Sequence, residues 1–353
     1  ANITAKNMKF KIKHVFLIIT MLLIIDPASA QDNVLKYIEE YPSQEQFKKM
    51  NSWLEKNEIG TFKFSGLLGS EIEVQNVQAS VDYGTNWFSI NDAPAIVQVP
   101  AYDKYFSVAI YDMKHNVPSV VVNPTKPILV IRPGQKIPKG EFNIVELETN
   151  QGLIMTRMVV ANNLKEVEEL RTSIIMKGGK GEVDYQASEF STNTIKWGNT
   201  LIDASLPYIN TVYPKKSGEI DPITLAAVVK RAPRGAPSDV VKYSVVGRDG
   251  NGNPFNGNDT YELIVPANIV RKGGYMSITL YGADNRQLIP NEKKIYDRTS
   301  FSSSQNKDGT YTITLSPNGE GINGIPTGKP FYAILRAYEP IEGADLKVLV
   351  NKK

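Results

Sequence analysis

A succession of short segments rich in β-branched and aromatic residues, punctuated by Pro, Gly and Asn, runs through most of this chain. "AIVQVP", "YFSVAIYDM", "PSVVV", "PILVIRP" and "GLIMTRMVVA" occupy the first half; "VVKYSVVG", "TYELIVP", "YMSITLYG", "TYTITLS" and "PFYAILRAYEP" occupy the second. Segments of this length and composition read as strands. In the last of them Phe331, Ala333, Leu335 and Ala337 share one face, and Tyr332, Ile334, Arg336 and Tyr338 the other. Both faces read as buried, so Arg336 must have a partner. Its planar fork suits a carboxylate or backbone carbonyls, with tyrosines such as Tyr332 and Tyr338 against its plane. The favoured reading is a pin that holds the last strand, and the functional alternative is an anion or sugar-carboxylate clamp. Arg157 in "IMTRMVV" carries the same two readings.

Helices are few. Asp32 to Glu58 predicts two short amphipathic helices interrupted at Tyr41-Pro42-Ser43, with Ser43 as the second cap. "NNLKEVEELRTS" predicts one helix capped by Asn163, with Leu164, Val167 and Leu170 facing inward. "DPITLAAVVKRAPRGAP" predicts another, capped by Asp221 and ended by Pro233. "KDGT" at Lys307–Thr310 reads as a hairpin turn. The expected organisation is a leader over residues 1–30, a helical segment over 31–60, a first β-sandwich over 61–175, a helical seam over 176–238 and a second β-sandwich over 239–353. The expected fold class is mainly β, two tandem jelly-roll-like sandwiches with short helices at the N-terminus and the seam.

The leader reading rests on Lys9, Lys11 and Lys13 after Met8, the apolar run Val15–Ile25, and Ala28-Ser29-Ala30, a small-x-small cleavage pattern. Residues 1–7 read as upstream sequence. The apolar run is too short to span a bilayer, so no stable membrane insertion is expected after cleavage following Ala30, and the destination is periplasmic or secreted. Residues 1–30 carry a net +3, the same as the whole chain, so the remainder is formally neutral and offers no footprint for nucleic acid. Cysteine is absent, and His115 is the one histidine beyond the leader. Thiol nucleophiles, lipid attachment through cysteine, and zinc or haem sites built on clustered Cys and His lack their residues. No cofactor is expected.

The second half, through "GRDGNGNPFNGNDTYELIVP", "GGYMSITLYGADNRQLIPN", "DGTYTITLS" and "IPTGKPFYAILRAYEP", resembles the family known as domain of unknown function 1214. Asp249, Gly250, Gly257, Tyr261, Ser277, Tyr281, Asn291, Asp308, Gly309, Pro326, Gly328, Phe331, Arg336, Tyr338 and Pro340 carry that resemblance. The first half, through "PAIVQVPAYDKYFSVAIYDMKHN" with Pro94, Val99, Pro100, Tyr105, Asp112 and Asn116, and through Arg157, resembles domain of unknown function 1254. The resemblance implies tandem jelly-roll-like sandwiches in exported or envelope proteins, and offers no established biochemical function. The family pattern has threonine where His115 stands.

Asp112 and His115 are the weak catalytic candidates: an Asp three residues before a His could orient a general base, yet no G-x-S-x-G elbow supplies a nucleophile. The favoured reading of His115 is a surface-loop residue. Ser304–Lys307 is an S-x-x-K without its partner motifs and reads as chance. Asp249, Asn251, Asn253 and Asp259 alternate oxygen side chains as a calcium loop would, but the EF-hand positions are not met, so a turn is favoured. The ligand-binding candidates are Arg157, Arg336, Tyr338, Tyr105 and Trp87, with Tyr102 and Tyr111 as further members of an exposed aromatic strip. The expected function is non-catalytic: a glycan- or small-anion-binding envelope protein, or one that self-assembles into a homo-oligomer. The alternative is a carboxylate-dependent hydrolase at the domain interface.

Overall fold

The structure, a computed structural model, describes residues 29–353 other than Asn162. Each half consists of two sheets packed face to face, so the chain is mainly β, and neither half closes into a barrel. In the first half, one sheet has the order β1 (Lys63–Phe64), β2 (Val81–Ser89), β8 (Gln151–Val159), β4 (Phe106–Asp112), β5 (Ser119–Val122). It faces β7 (Asn143–Glu146), β6 (Ile128–Ile131), β3 (Ala95–Gln98), β9 (Ile175–Lys177), with Phe88, Val97, Val108, Val130 and Ile154 buried between them. In the second half, one sheet has the order β10 (Val241–Val246), β16 (Phe331–Pro340), β12 (Val270–Gly282), β13 (Asp297–Thr299). It faces β15 (Ile325–Pro326), β14 (Tyr311–Ser316), β11 (Tyr261–Val265), β17 (Leu349–Lys352). The core face of β16 is the one the alternation predicts: Phe331, Ala333, Leu335 and Ala337 enter this second core.

Period-two alternation sends the other half of each strand outward. Those outward faces meet each other. The sheet containing β8 presents Tyr83, Tyr105, Ser107 and Arg157; the sheet containing β16 presents Tyr243, Tyr275, Ser277, Thr279, Tyr281, Arg336 and Tyr338. Register places Tyr83 and Ser107 either side of Arg157, and Tyr243 and Ser277 either side of Arg336. Two apolar clusters close this seam. One joins Tyr105 and Val159 to Val241, Tyr275 and Tyr338; the other joins Val77 and Ala79 to Tyr281, Leu288 and Ile334.

The helices pack on what the second sandwich leaves uncovered. α1 (Ser29–Leu54) is continuous, with Pro42 inside it, where two helices were expected. Burial explains the difference. Val34, Tyr37, Ile38 and Tyr41 pack before the proline and Met50 after it, which holds one axis despite the lost backbone hydrogen bond. α2 (Leu164–Arg171) has the expected cap, Asn163 accepting from the Glu166 N–H at 3.3 Å, but Leu164 is exposed rather than inward. α3 (Thr192–Ser205), capped by Ser191, lies within the expected helical or linker seam, in a stretch where the sequence marks no individual helix; its Gly198 abuts the Tyr37 ring of α1. α4 (Pro222–Arg231) starts at Asp221, whose carboxylate accepts from the Thr224 N–H at 3.0 Å. The Lys307–Thr310 segment does turn, with Gly309 at φ 84°, but it joins strands of opposite sheets. It is therefore not a hairpin. No helix among the described residues is long and apolar enough to cross a membrane.

Candidate functional site: an arginine–tyrosine seam

The centre of the seam holds two guanidinium groups, one from each sandwich. Arg336 is 4% exposed; Nη2 donates to the Asn76 carbonyl at 2.8 Å and Nη1 to Thr279 Oγ1 at 3.3 Å. The rings of Tyr243 and Tyr281 lie 5.9 and 5.6 Å from its Cζ, close enough for a cation–π contribution. Of the two tyrosines that share its face on β16, Tyr332 reaches past it to Asn76 Oδ1 at 2.5 Å, and Tyr338 stacks on Tyr275 with centroids 4.4 Å apart. These contacts make Arg336 a tie between β16, β12 and the loop before β2.

Arg157 is tied differently. Its Nη2 donates to the Arg234 carbonyl at 2.7 Å and approaches Tyr111 Oη at 3.5 Å, while the Tyr83 ring lies 5.9 Å from Cζ. Its buried Nη1 has no hydrogen-bond partner. Tyr83 and Tyr243 are within electrostatic reach of both Arg157 and Arg336. Burial pushes the Tyr243 hydroxyl up, and the two arginines partly oppose that shift.

The third guanidinium comes from the connector between α4 and β10. The backbone of Arg234 is gripped on both sides: its N–H donates to His115 Nε2 at 3.0 Å, and its carbonyl accepts from Tyr111 Oη at 2.8 Å and from Arg157. Gly235 follows because the Tyr213 ring occupies the space a side chain would need, while Tyr213 Oη donates to the Ala232 carbonyl at 2.7 Å. The Arg234 side chain has no hydrogen-bond or ion-pair partner among the described residues. The arginine ion pairs of the described residues lie elsewhere, Arg171–Asp82 at 3.0 Å and Arg271–Glu339 at 3.9 Å. None of these three guanidinium groups has a carboxylate in ion-pair contact, although Asp297 lies within electrostatic reach of Arg336 and Glu45 of Arg234.

The seam is open on one side. β10 is an edge strand, and its outward residues Tyr243 and Val245 are 45% and 68% exposed. Tyr83, Arg157, Arg234 and Tyr213 are half-buried. Of the ligand candidates drawn from the sequence, Arg157 is therefore partly exposed, although its Nη1 is buried. Tyr105 and Tyr338 close one end of the seam as packing residues, 1% and 5% exposed. Trp87 is 1% exposed beneath α1, away from the seam, and Tyr111 is fully buried, so these residues form no exposed aromatic strip.

His115 is not a surface residue: it is 1% exposed, at φ 66°, with its ring edge-on to Tyr111. Burial holds its pKa down to about 4, so it is neutral and accepts at Nε2. Asp112 is equally buried, and burial pushes its pKa up to about 6. Its carboxylate accepts from the Lys114 and Asn116 N–H groups and from Asn116 Nδ2, at 2.9, 2.8 and 2.7 Å. Only backbone atoms join His115 to Asp112, so the expected catalytic pairing is not assembled. The Asp249 carboxylate is taken up by Asn251 and Asn253 of its own turn, and Asp259 pairs with Lys352 at 2.5 Å. That loop is a self-satisfied turn rather than a cation cage. Among the described residues no group of three His, Asp or Glu converges to hold a metal.

Two hollows lie in the first half. One of about 620 Å³ is lined by Tyr102, Asp103, Glu166 and Glu169; a polar one of about 320 Å³ is lined by Arg132, Glu148, Asp184 and Tyr185. In the second, Glu148 already holds Ser217 Oγ at 2.5 Å, and Asp184 holds Asn91 Nδ2 at 2.9 Å.

Fold and seam define a tandem β-sandwich protein whose two units share a basic, tyrosine-rich interface. Residues 65–178 match the family described as protein of unknown function DUF1254, and residues 241–342 match protein of unknown function DUF1214. The chain belongs to the proteins that carry these two domains in tandem, in that order. No curated protein matches it. Among solved structures, the VPA0106 protein from Vibrio parahaemolyticus is similar over 92% of this chain and 100% of its own, with TM-score 0.73 and 18% identity. A putative uncharacterized protein from Burkholderia cenocepacia aligns over 94% of this chain and 91% of its own, with TM-score 0.49 and 11% identity. The Vibrio protein shares the fold.

Proposed function

We propose that this is an exported, non-catalytic protein that binds a small organic anion, a carboxylate on a compact sugar-like body, in the crevice between its sandwiches. One observation carries the reading: Arg157 and Arg336 share Tyr83 and Tyr243 in the seam, Arg234 lies beside Arg157, and none of the three is in ion-pair contact with a carboxylate. Asp297 and Glu45 act on Arg336 and Arg234 only at longer range. Desolvating like charges together is unfavourable, and a bound anion relieves it. Tyr83 and Tyr243 supply ring faces and hydroxyl donors beside the charges, the two features a hydroxylated ring with a carboxylate requires. Export rests on the lysine-rich, apolar, Ala-Ser-Ala leader pattern. Asp112, the hydrolase candidate, is sealed from substrate, and its oxygens are occupied.

Thermal melts against glucuronate, galacturonate, citrate and inorganic phosphate, with glucose as the neutral control, test this. A ligand at a hundred times its Kd stabilises the folded protein by about 2.7 kcal/mol, a shift easily seen. A uronate should raise Tm, glucose should not, and Arg157→Gln should shrink the shift. If no anion moves Tm, the protein does not bind this class of ligand in the seam.

A further inference from the structure

We infer that Arg234 is the recognition residue of this crevice, the group that meets the ligand carboxylate, and that its backbone is strained to place it there; this rests on the binding function proposed above. Three observations meet at this residue. First, Arg234 sits at φ 61° and its hydrogen-bond partner His115 at φ 66°, both in the left-handed region that side-chain-bearing residues avoid. Glycine would occupy either position without that cost. Second, the strain is enforced by backbone contacts alone. His115 Nε2 takes the Arg234 N–H at 3.0 Å, while Tyr111 Oη and Arg157 Nη2 donate to its carbonyl at 2.8 and 2.7 Å. Third, the side chain has no hydrogen-bond or ion-pair partner among the described residues: burial disfavours its charged form, and the favourable fields of Tyr111 and Glu45, set against the like charge of Arg157, do not offset that.

For stability alone, glycine is the better residue at 234. An arginine in strained backbone whose guanidinium makes no hydrogen bond is explained by a ligand that completes its fork. The neighbouring Arg157 has the complementary defect, a buried Nη1 with no acceptor. A carboxylate oxygen placed between the two arginines supplies the missing partner to both. Arg336 differs, because its two Nη atoms already hold Asn76 and Thr279. Arg234 therefore sets affinity and Arg336 sets architecture.

The test compares the full-length parent with Arg234→Gly and Arg234→Lys, by ligand-free melts and by calorimetric titration with glucuronate and galacturonate. Arg234→Gly should melt at or above the parent temperature and bind at least tenfold more weakly. Arg234→Lys retains the charge and the strain but lacks the fork, and should also bind more weakly. A parent that binds a uronate while Arg234→Gly binds it equally well overturns the role of Arg234 and leaves the seam site standing. A marked loss of ligand-free stability in Arg234→Gly overturns it too, because the side chain would then be structural. A parent that binds neither uronate overturns both this inference and the binding function on which it rests.

Discussion

Arg336 shows how far one residue could be read before any coordinates. A guanidinium in an alternating apolar strand had to be paired, and the residue types that could pair it were nameable: carbonyls, hydroxyls and tyrosine rings. Which ones was not legible, because Asn76 lies far away in the sequence and Tyr243 comes from a different strand. Removing the head leaves that carbonyl and hydroxyl unsatisfied, so Arg336→Met should cost about 1–3 kcal/mol for each and lower Tm clearly. With rings and neutral acceptors as partners, Arg336→Lys should fare no better than methionine, since an ammonium cannot span both acceptors. A lysine variant that melts like the parent would show that charge alone suffices. Asp112 gives a pH prediction. Burial raises its folded pKa to about 6, above the unfolded value, so its contribution to stability is present below about pH 4 and is lost as pH rises through 6. Asp112→Asn lacks that titration, and Asn116, whose Oδ1 has no partner, can turn to receive the new amide. Denaturant melts should therefore show the variant gaining on the parent by on the order of 2–3 kcal/mol between pH 4 and pH 7. A constant difference across that range would mean Asp112 is not perturbed.

At the scale of elements, the strands were the legible part, since two-residue alternation and proline or glycine punctuation are local signals. α4 was legible for the same reason, through Asp221 and Pro222. α3 was not. "TNTIKWGNTLIDAS" is β-branched and contains Gly198, so its local propensity is poor, and what holds it is packing on α1. Gly198 also reverses an ordinary expectation. In an exposed helix Gly→Ala stabilises by up to about 1 kcal/mol, but here the added methyl would enter the Tyr37 ring. Gly198→Ala should destabilise by about 1–3 kcal/mol, and Gly198→Ala with Tyr37→Leu should recover part of the loss. Stability unchanged or improved in the single variant would mean that α1 and α3 are not packed as described.

Across the whole molecule, the site was the least legible feature, because it is made by two sheets meeting. Arg157 and Arg336 stood out as charges among apolar residues, whereas Tyr83, Tyr243 and Arg234 looked like ordinary surface until the seam was assembled. The one sequence hint for Arg234 was its place in "APRGAP", between two prolines and before a glycine. Export has its own check: N-terminal sequencing of protein made in a Gram-negative host should begin at Gln31, and an intact Met8 on cytoplasmic protein would refute the leader. The packing of α1 bears on how the chain is made. Val34, Tyr37, Ile38 and Tyr41, near its start, are covered by Ile202 of α3 and by Ala226, Ala227 and Val229 of α4, all beyond the first family match, which ends at residue 178. A nascent chain that has emerged only that far has a sandwich but no cover for its first helix. The first half is therefore completed only after synthesis has passed α4, and a fragment cut at 178 should aggregate where one extended to 238 stays in solution.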